Sequence, residues 1–497
     1  MALLAEPIKE IVHVKNYVGG EWVESKGPRR NVFSPATGKL IATVAESTPA
    51  ELEAAVAAAT DAYPEWRRTT PLARARCLFR LKGLLEDAFE EVSRVQTVEH
   101  GKTIDESRGE TRRGIENVEV ACGIPTLMQG EYSEDIASGM DEWIVRTPLG
   151  VFGIIGPYNF PFMIPLWSAP YAVATGNCVI VKPSPDVPLS QTRLAELVEE
   201  AGFPPGVWNV VHGGADVVNG ILDHPGVVGA TFVGSTPVAR DVIYRKCGAT
   251  GKRVIAQGGA KNFMVVMPDC DPERTAASMM TSFFGNTGQR CLAGANLIVV
   301  GEDDAFYTKF VQLLVTMARR IAIGNGLDEA VQMGPMRDAQ KVAKVKDYIR
   351  IGVEQGATLT LDGREGFNLV GDWPRDCFIG PSIFEGVTPE MTIAREEIFG
   401  PVMSVMRARD LGEAIDICNG SLFGNGNAIF TSSGKNARDF QYNIQSGNVG
   451  INVGIVAPVA FFPFSGMKNS FFGIVHTQGK DAVRFFTESK VIIERWF

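Results

Sequence analysis

From Trp143 onward, short apolar segments rich in β-branched residues alternate with segments of helical character. Such alternation predicts a parallel sheet whose strands are connected by helices. The strand segments are almost continuously apolar, as is typical of strands buried on both faces. The first group of predicted strands comprises Val151–Ile155, Cys178–Val181, Val207–Val211, Val228–Val233, Arg253–Ile255 and Phe263–Val266. A second α/β region contains predicted strands near Asn296–Val300, Ser382–Glu385, Val402–Met406 and Ala428–Phe430.

The region before these strands is predicted to be helical. Thr48 lies before Pro49 and three residues before Glu51, which is a capping-box arrangement with proline at the first helical position. Helices are predicted from Pro49 through the alanine-rich segment 54–62, from Pro71 to Phe89, from there to Glu99, and from Asp105 to Cys122. The whole pattern predicts an α/β fold.

Two further stretches, 129–148 and 475–497, have a different character. Both are two-sided and β-like, and both contain aromatic residues. Exposed strand edges usually need a partner, so we expect these stretches to pair between the subunits of an oligomer. A local hairpin within one subunit is the alternative.

Size, charge and cysteine usage limit the classes of protein that need to be considered. A chain of 497 residues is too long for one ordinary core, so two or three domains are expected. The net charge of −9 and the pI near 5.3 argue against nucleic acid or an anionic membrane as the main partner. Eight cysteines without a CxxC pair, with only five histidines, predict no metal site.

No segment has the pattern of a targeting or membrane sequence. Residues 1–12 contain acidic side chains and lack the long apolar core of a signal peptide. The longest apolar region, Leu166 to Val181, is short for a membrane span and contains Gly176 and Asn177. With free thiols in a large chain, these features predict a cytoplasmic location.

The segment from Phe284 to Cys291 has the features of a presented nucleophile. Gly285 and Gly288 allow the backbone to approach a ligand closely. The guanidinium of Arg290 directly precedes the cysteine and is expected to favour the reactive thiolate. The alternative is a small buried hydrophobic residue, which is the common role of a free cysteine.

Three loops follow predicted strands, where ligands bind in doubly wound sheets. Asn159 lies in GPYNFP and can donate to a developing oxyanion, or it can simply form a proline-bounded turn. Lys182 in VKPS either faces a ligand or extends to solvent. In FVGST, Gly234 turns the chain, and a Ser or Thr cap before Pro237 would open a phosphate-binding helix or an ordinary one. The chain lacks a GxGxxG fingerprint.

The motifs PYNFP, VKPS, FVGST, QGGAKN, GQRC and EEIFGPV occur in this order along essentially the whole chain. In this combination the sequence resembles the aldehyde dehydrogenase superfamily, and within it the CoA-acylating branch of the methylmalonate-semialdehyde dehydrogenases. The resemblance implies a nucleotide-binding α/β domain, a catalytic α/β domain and a bridging β oligomerisation element. It predicts an NAD-binding domain at 1–128 and 149–255, a catalytic domain at 256–447, and a bridging element at 129–148 and 448–497.

The resemblance also implies roles for individual residues. Cys291 would attack the aldehyde, with Asn159 and the Cys291 backbone N–H as oxyanion donors. Hydride transfer to NAD would then leave a thioester on the cysteine. Glu397 would hold the nicotinamide ribose with Phe399 beside it, and Lys182 would bind the adenosine ribose. The remaining implied cofactor contacts are Ile155, Pro157, Phe160, Trp167, Ser184, Gly234 and Ser235.

Gln257 occupies the position where most hydrolytic relatives have the glutamate that activates water. A glutamine cannot accept a proton at neutral pH, so the acyl group is expected to leave by attack of the CoA thiol. Two alternatives remain open, namely an inactivating change and a different base. Pro185 lies where many relatives have a glutamate that bonds the adenosine ribose and repels a 2′-phosphate, so NADP use stays open, although NAD is expected.

Two arginines are implied as ligands of a substrate carboxylate, Arg113 and Arg290. From the residues alone, Arg113 could equally belong to a solvated helix face that also carries Arg108 and Arg112. The implied activity is oxidation of methylmalonate or malonate semialdehyde with loss of CO₂, giving propionyl-CoA or acetyl-CoA, in a homodimer or homotetramer. The alternatives are a hydrolytic NAD(P)-dependent dehydrogenase for another aldehyde and a catalytically silent protein of the same fold.

Overall fold

The structure is a computed structural model that describes residues 3–497. Its first strands are β1 (Val12–His13), β2 (Asn16–Val18), β3 (Glu21–Val23), β4 (Arg29–Phe33), β5 (Leu40–Ala45), β6 (Tyr132–Ala137), β7 (Met140–Pro148) and β8 (Val151–Ile155). They are followed by β9 (Cys178–Lys182), β10 (Trp208–Val210), β11 (Val227–Val233), β12 (Arg253–Gln257), β13 (Asn262–Val266), β14 (Gly294–Val300), β15 (Ile323–Gly324) and β16 (Thr358–Leu361). The last are β17 (Leu369–Val370), β18 (Ser382–Glu385), β19 (Val402–Ala408), β20 (Phe423–Gly424), β21 (Gly426–Phe430), β22 (Asn448–Ile451), β23 (Met467–Lys468), β24 (Phe471–Gly473) and β25 (Thr487–Arg495).

The helices lie between these strands. The first are α1 (Pro49–Trp66), α2 (Pro71–Asp87), α3 (Phe89–His100), α4 (Ile104–Cys122), α5 (Ile124–Leu127), α6 (Met163–Leu166), α7 (Ala169–Thr175), α8 (Leu189–Glu200) and α9 (Ala215–Asp223). The others are α10 (Arg245–Thr250), α11 (Pro272–Met279), α12 (Asp304–Arg319), α13 (Ala339–Glu354), α14 (Thr392–Arg395), α15 (Leu411–Asn419), α16 (Gly434–Asn443) and α17 (Gly479–Phe485). Val238–Tyr244 and Met280–Phe284 are π-helical, and Gly285–Gly288 and Arg375–Cys377 are 3₁₀ turns.

An eight-stranded sheet confirms the predicted parallel arrangement. Its spatial order is β24–β12–β11–β8–β9–β10–β2–β3, and the strands from β12 to β10 are all parallel. Because parallel strands share one carboxyl edge, the loops after β8, β9 and β11 lie close together. These loops contain Asn159, Ser184 and Gly234.

A seven-stranded sheet forms the second α/β region. Its order is β16–β18–β19–β14–β13–β21–β22, and only the edge strand β16 is antiparallel to its neighbour. The four strands predicted for this region belong to it. β13, which the sequence pattern placed with the first group of strands, also belongs to this sheet.

A small antiparallel sheet joins the two distant β-like stretches in the order β25–β7–β6. The C-terminal stretch is not entirely β, because α17 precedes β25. Two strands from the predicted bridging range 448–497 pair elsewhere, β22 with the seven-stranded sheet and β24 with the eight-stranded one. The domain boundaries themselves stay a prediction.

The first N-terminal helix begins where its capping signal predicted. Thr48 accepts a hydrogen bond from the Glu51 N–H, and the Glu51 carboxylate accepts one from the Thr48 N–H. Thr103 and Glu106 form a second capping box at the start of α4. Within residues 3–497, no helix is long and apolar enough to cross a membrane.

Candidate active site

Cys291 lines a large cavity and a smaller neighbouring one. The larger one has a volume of about 530 Å³ and extends over the carboxyl ends of β8, β9 and β11. The smaller one has a volume of about 70 Å³ and contains both arginines implied as carboxylate ligands. The cysteine therefore lies where a nucleotide-sized space meets a space that fits a small molecule.

The turn that presents Cys291 is strained and held from several sides. Asn286 and Thr287 have φ angles of 50° and 53°, which are rare for side chains other than glycine and most costly for the β-branched threonine. The Asn286 N–H donates to the Glu106 carboxylate, and the Thr287 hydroxyl donates to the carbonyl of Gly334 at 2.8 Å. The backbone ahead of the cysteine is thus fixed by contacts with distant segments.

The carbonyl of Cys291 is also fixed. It accepts a hydrogen bond from the Asn262 amide at 2.8 Å and another from the Asn425 amide at 2.9 Å. Asn262 is the last residue of the QGGAKN motif. Its amide nitrogen also donates to the carbonyl of Ala293 at 2.7 Å, so it holds the chain on both sides of Leu292.

The thiol is not activated in this structure. Burial raises the pKa of Cys291 to about 12, and the negative charge of Glu397 raises it further, while contacts with Asn425 and nearby backbone N–H groups oppose the shift. Arg290 does not act on the sulfur, because its guanidinium forms an ion pair with Glu106 at 3.0 Å. The prediction that Arg290 lowers the pKa of the thiol is therefore wrong.

Asn159 is connected to the turn that carries Cys291. It lines the larger cavity together with Cys291. Its amide nitrogen donates to the carbonyl of Gln289 at 3.0 Å, which ties the loop after β8 to the turn that carries the cysteine. An amide has two N–H groups, so the second is available to an oxygen atom in the cavity.

The larger cavity brings together most of the residues implied as cofactor contacts. Lys182 is buried, donates to the carbonyl of Gly213 at 3.1 Å, and has its pKa lowered by burial to about 8. The other implied residues that line this cavity are Ile155, Pro157, Ser184, Gly234, Ser235, Glu397 and Phe399. Their donors and acceptors suit a ligand with hydroxyl and phosphate groups.

The turn after β11 differs from its prediction. The helix that follows starts at Thr236, continues as the π-helical segment Val238–Tyr244, and has no side-chain cap. Thr236 instead donates from its hydroxyl to the carbonyl of Asn469 at 2.9 Å and accepts the Gly259 N–H at 2.8 Å. Because no side chain caps the helix, its first N–H groups stay open toward the cavity that Ser235 and Val238 line.

Glu397 and Phe399 close the other side of the larger cavity. One Glu397 oxygen accepts the N–H of Ala260 at 2.9 Å. Burial raises the pKa of Glu397, while the Ala260 N–H and the charges of Lys344 and Lys261 oppose this shift. Phe399 has a φ of 61° and contacts the ring of Tyr158 edge-on at 6.1 Å. A strained residue against a cavity is typical of a ligand-binding position.

The smaller cavity contains the two arginines and several aromatic side chains. Arg113 also forms an ion pair with Glu116 at 2.9 Å, and its side chain is 38% exposed, against 12% for Arg290. Trp167 stacks on Phe464 with ring centroids 4.5 Å apart. The structure places Phe160 and Trp167 in this cavity, not among the residues that line the larger one, so both lie on the arginine side of Cys291.

Gln257 is not brought to the thiol. Its side-chain nitrogen donates to the Thr477 hydroxyl at 3.1 Å, and its buried oxygen has no hydrogen-bond partner within residues 3–497. It is absent from the described residues that line the two cavities. The next residue in the sequence, Gly258, does line the larger cavity.

Comparison with known proteins identifies the family. The model of the aldehyde dehydrogenase family matches residues 22–492. The chain belongs to the aldehyde dehydrogenase family. Malonate-semialdehyde dehydrogenase 2 of Bacillus thuringiensis subsp. konkukian is 48% identical over 485 residues, covering 97% of this chain and 98% of the relative.

Two solved structures resemble this aldehyde dehydrogenase along nearly its whole length. One, from Sinorhizobium meliloti 1021, is described as a methylmalonate-semialdehyde dehydrogenase complexed with NAD, with a TM-score of 0.95 and 40% identity. The other is a methylmalonate-semialdehyde dehydrogenase from Oceanimonas doudoroffii, with a TM-score of 0.94 and 41% identity. Each comparison covers 98% of this chain and 99% of the solved one.

Sequence reasoning missed the acidic residues that support the site of this aldehyde dehydrogenase. Glu106, Glu110, Arg113 and Asn117 follow one another at intervals of four, three and four residues, which places them on one face of α4. That spacing was visible in the predicted helix and could have identified the face. Within residues 3–497, no group of three or more His, Cys, Asp or Glu side chains is arranged to hold a metal ion.

Proposed function

We propose that this aldehyde dehydrogenase oxidises malonate or methylmalonate semialdehyde with NAD and transfers the acyl group to CoA. One observation carries the proposal, which is that Arg113 and Arg290 line the same small cavity as Cys291. Two guanidinium groups beside a nucleophile suit a short aldehyde that also carries a carboxylate. The names of the relatives, which specify these two semialdehydes, support the same choice.

In this proposal Cys291 attacks the aldehyde carbon and forms a thiohemiacetal. The Asn159 amide and the Cys291 N–H donate to the oxygen that becomes negatively charged, where fixed donors lower the barrier most effectively. NAD, when bound, supplies the acceptor for the hydride that leaves the same carbon. As the hydride leaves, the oxyanion re-forms a carbonyl and the acyl group remains on Cys291 as a thioester.

The larger cavity fits the cofactor in chemistry as well as in place. The Glu397 carboxylate is an acceptor for ribose hydroxyls, and Lys182 is a donor at the carboxyl end of β9. Pro185 offers no carboxylate that would select against a 2′-phosphate. We propose NAD because the similar Sinorhizobium meliloti structure is described as a complex with NAD.

Release of the acyl group is proposed to require CoA. Gln257 cannot serve as a general base, and its amide is engaged with Thr477, so water has no evident activator at this position. The β-carboxylate of the acyl group can leave as CO₂, because the thioester carbonyl accepts the released electrons as an enolate, which then takes a proton from water at its α-carbon. Attack by the CoA thiolate then gives acetyl-CoA or propionyl-CoA and restores Cys291.

Assembly as a homodimer or homotetramer is proposed from the small antiparallel sheet. β25 lies at its edge, and Val491 and Ile493 on this strand are 58% and 61% exposed. An apolar edge strand of this length is normally covered by a partner.

A cytoplasmic location is proposed because all eight cysteines are free, as is usual in a reducing compartment.

Product analysis by mass spectrometry, with NAD and with or without CoA, tests the proposed activity. With malonate semialdehyde we expect CO₂, NADH and acetyl-CoA, and without CoA we expect one burst of NADH followed by slow turnover. Full steady-state turnover without CoA would instead support hydrolysis. A wild-type protein that gives no NADH burst would be catalytically silent, and Cys291→Ala provides the matching negative control.

A further inference from the structure

The loop that carries Asn159 is held by a fully buried ion pair. Lys102 Nζ lies 2.5 Å from Glu110 Oε2, and neither side chain is exposed to solvent. The same ammonium donates to the backbone carbonyl of Asn159 at 2.6 Å and lies 4.2 Å from the centre of the Phe160 ring. Lys102 thus contacts two consecutive residues of the loop after β8.

Glu110 holds the next part of the same loop. Its second oxygen accepts the N–H of Phe162 at 2.9 Å and the N–H of Met163 at 3.1 Å. These bonds fix the entry into α6, while Lys102 fixes the loop at Asn159. Hydrogen bonds to charged groups are shorter and stronger than neutral ones, so this loop has little freedom to move.

Close packing of α4 against the loop reinforces these contacts. Gly114 lies one helical turn after Glu110, and a Cβ atom at this position would lie 2.9 Å from side-chain atoms of Phe162 and Leu166. The lack of a side chain allows the helix to approach closely enough for Glu110 to reach the backbone. The same face of α4 presents Arg113 and Asn117 to the smaller cavity.

We propose that Lys102 and Glu110 are positioning residues that set the Asn159 amide against Cys291. Among the described residues that line the two cavities, neither Lys102 nor Glu110 appears, so they act through the loop and not on the substrate. The Asn159 amide donates to the carbonyl of Gln289, two residues before Cys291. The ion pair therefore fixes one side of a contact whose other side carries the nucleophile.

This inference rests on the proposed role of Asn159 as an oxyanion donor and deepens it. A donor contributes most when its position is set before the reaction begins, because no reorganisation is then needed as charge develops. A buried ammonium and carboxylate that satisfy one another and three backbone groups meet this requirement. Burial lowers the pKa of Lys102, and the neighbouring Glu110 acts against this shift.

A double-mutant cycle on the rate of the NADH burst tests the proposal. The variant Lys102→Met/Glu110→Gln removes both charges together, because a single change would leave an uncompensated buried charge. We expect its burst rate to fall about tenfold or more, with the ~10²–10³-fold effect of losing an oxyanion donor outright as the upper limit. In an Asn159→Ala background the same pair of changes should cause no further fall.

Equal falls in the two backgrounds would overturn the proposal, since a general effect on folding would be independent of Asn159. Stoichiometric alkylation of Cys291 should remain complete in every variant. If the double variant does not fold, Gly114→Ala replaces it in the cycle, because it keeps both charges and instead crowds the side chains of Phe162 and Leu166. Arg108→Ala is the matched control, because Arg108 is also on α4 but pairs with Glu90, Asp105 and Glu329 away from the cavities, and its burst rate should not change.

A crystal structure of the double variant gives a readout that does not depend on the substrate. The distance between the Asn159 amide nitrogen and the Gln289 carbonyl oxygen, 3.0 Å in the wild type, should lengthen beyond hydrogen-bonding range. An unchanged distance would overturn the positioning role even in a protein with confirmed semialdehyde activity. A lengthened distance would support it even if the natural aldehyde is a different one.

Discussion

Arg290 Nη2 lies 3.0 Å from Glu106 Oε1, and the two side chains are 12% and 13% exposed. The same carboxylate accepts the N–H of Asn286 and, through its other oxygen, the N–H of Thr103 at 3.0 Å. One side chain thus caps α4, holds the strained turn before Cys291, and fixes the arginine that follows this turn. The pairing directs the Arg290 guanidinium away from the sulfur and into the wall of the smaller cavity.

Glu106→Gln is expected to slow the NADH burst with carboxylated and neutral aldehydes alike, by about tenfold. Glutamine preserves the capping box but loses the charge that strengthens the bonds to Asn286 and Arg290, and such bonds contribute about 1.5–3 kcal/mol each. Stopped-flow measurement with malonate semialdehyde and with propanal checks this. A loss confined to malonate semialdehyde would mean that Glu106 serves only carboxylate binding.

Arg113→Leu is expected to raise KM for malonate semialdehyde about tenfold or more and to leave KM for propanal nearly unchanged. Arg113 lines the smaller cavity, and only a substrate with a carboxylate can use its guanidinium. Steady-state kinetics with both aldehydes measures the contrast. Arg112→Leu is the matched control, because the adjacent Arg112 pairs with Glu86 and should affect neither KM. Equal effects of Arg113→Leu on the two aldehydes would exclude it as a carboxylate ligand.

The strands and helices of this chain were largely predictable, because they depend on local periodicity and capping. β8 has the predicted bounds, and the Thr48 cap is the predicted one. The contacts of charged side chains were not predictable, because they depend on which segments meet in space. Arg290 is adjacent to Cys291 in the sequence, but its partner is Glu106, 184 positions away along the chain. Trp167 follows the loop of the nucleotide cavity in sequence and nevertheless lies on the arginine side of Cys291.

Gln257→Glu is expected to increase hydrolysis of the acyl-enzyme in the absence of CoA. The side-chain oxygen of Gln257 is buried and has no hydrogen-bond partner in residues 3–497, so a carboxylate there would have a raised pKa and could act as a base. CoA-free NADH formation should therefore rise above the wild-type rate and increase with pH. Gln257→Ala provides the control that alters the packing without adding a base. An unchanged rate in Gln257→Glu would show that the deacylating base does not belong at this position.

Alkylation of Cys291 by iodoacetamide, in protein without added NAD, is expected to accelerate about tenfold per pH unit between about pH 7 and pH 10. Burial and the charge of Glu397 raise the pKa of this thiol to about 12, so the reactive thiolate is a small fraction that grows throughout this range. The alkylation rate of an ordinary thiol, with a pKa of about 8.5, would level off before pH 10.

The pKa of this thiol is higher in the folded state than in the unfolded state. The unfolded thiol therefore ionises first, and the folded state loses stability as the pH rises above about 8.5. Glu397→Gln removes one cause of the shift and should move the alkylation profile to lower pH. Mass spectrometry of the peptide that contains Cys291 measures both profiles, and a plateau near neutral pH would contradict the raised pKa.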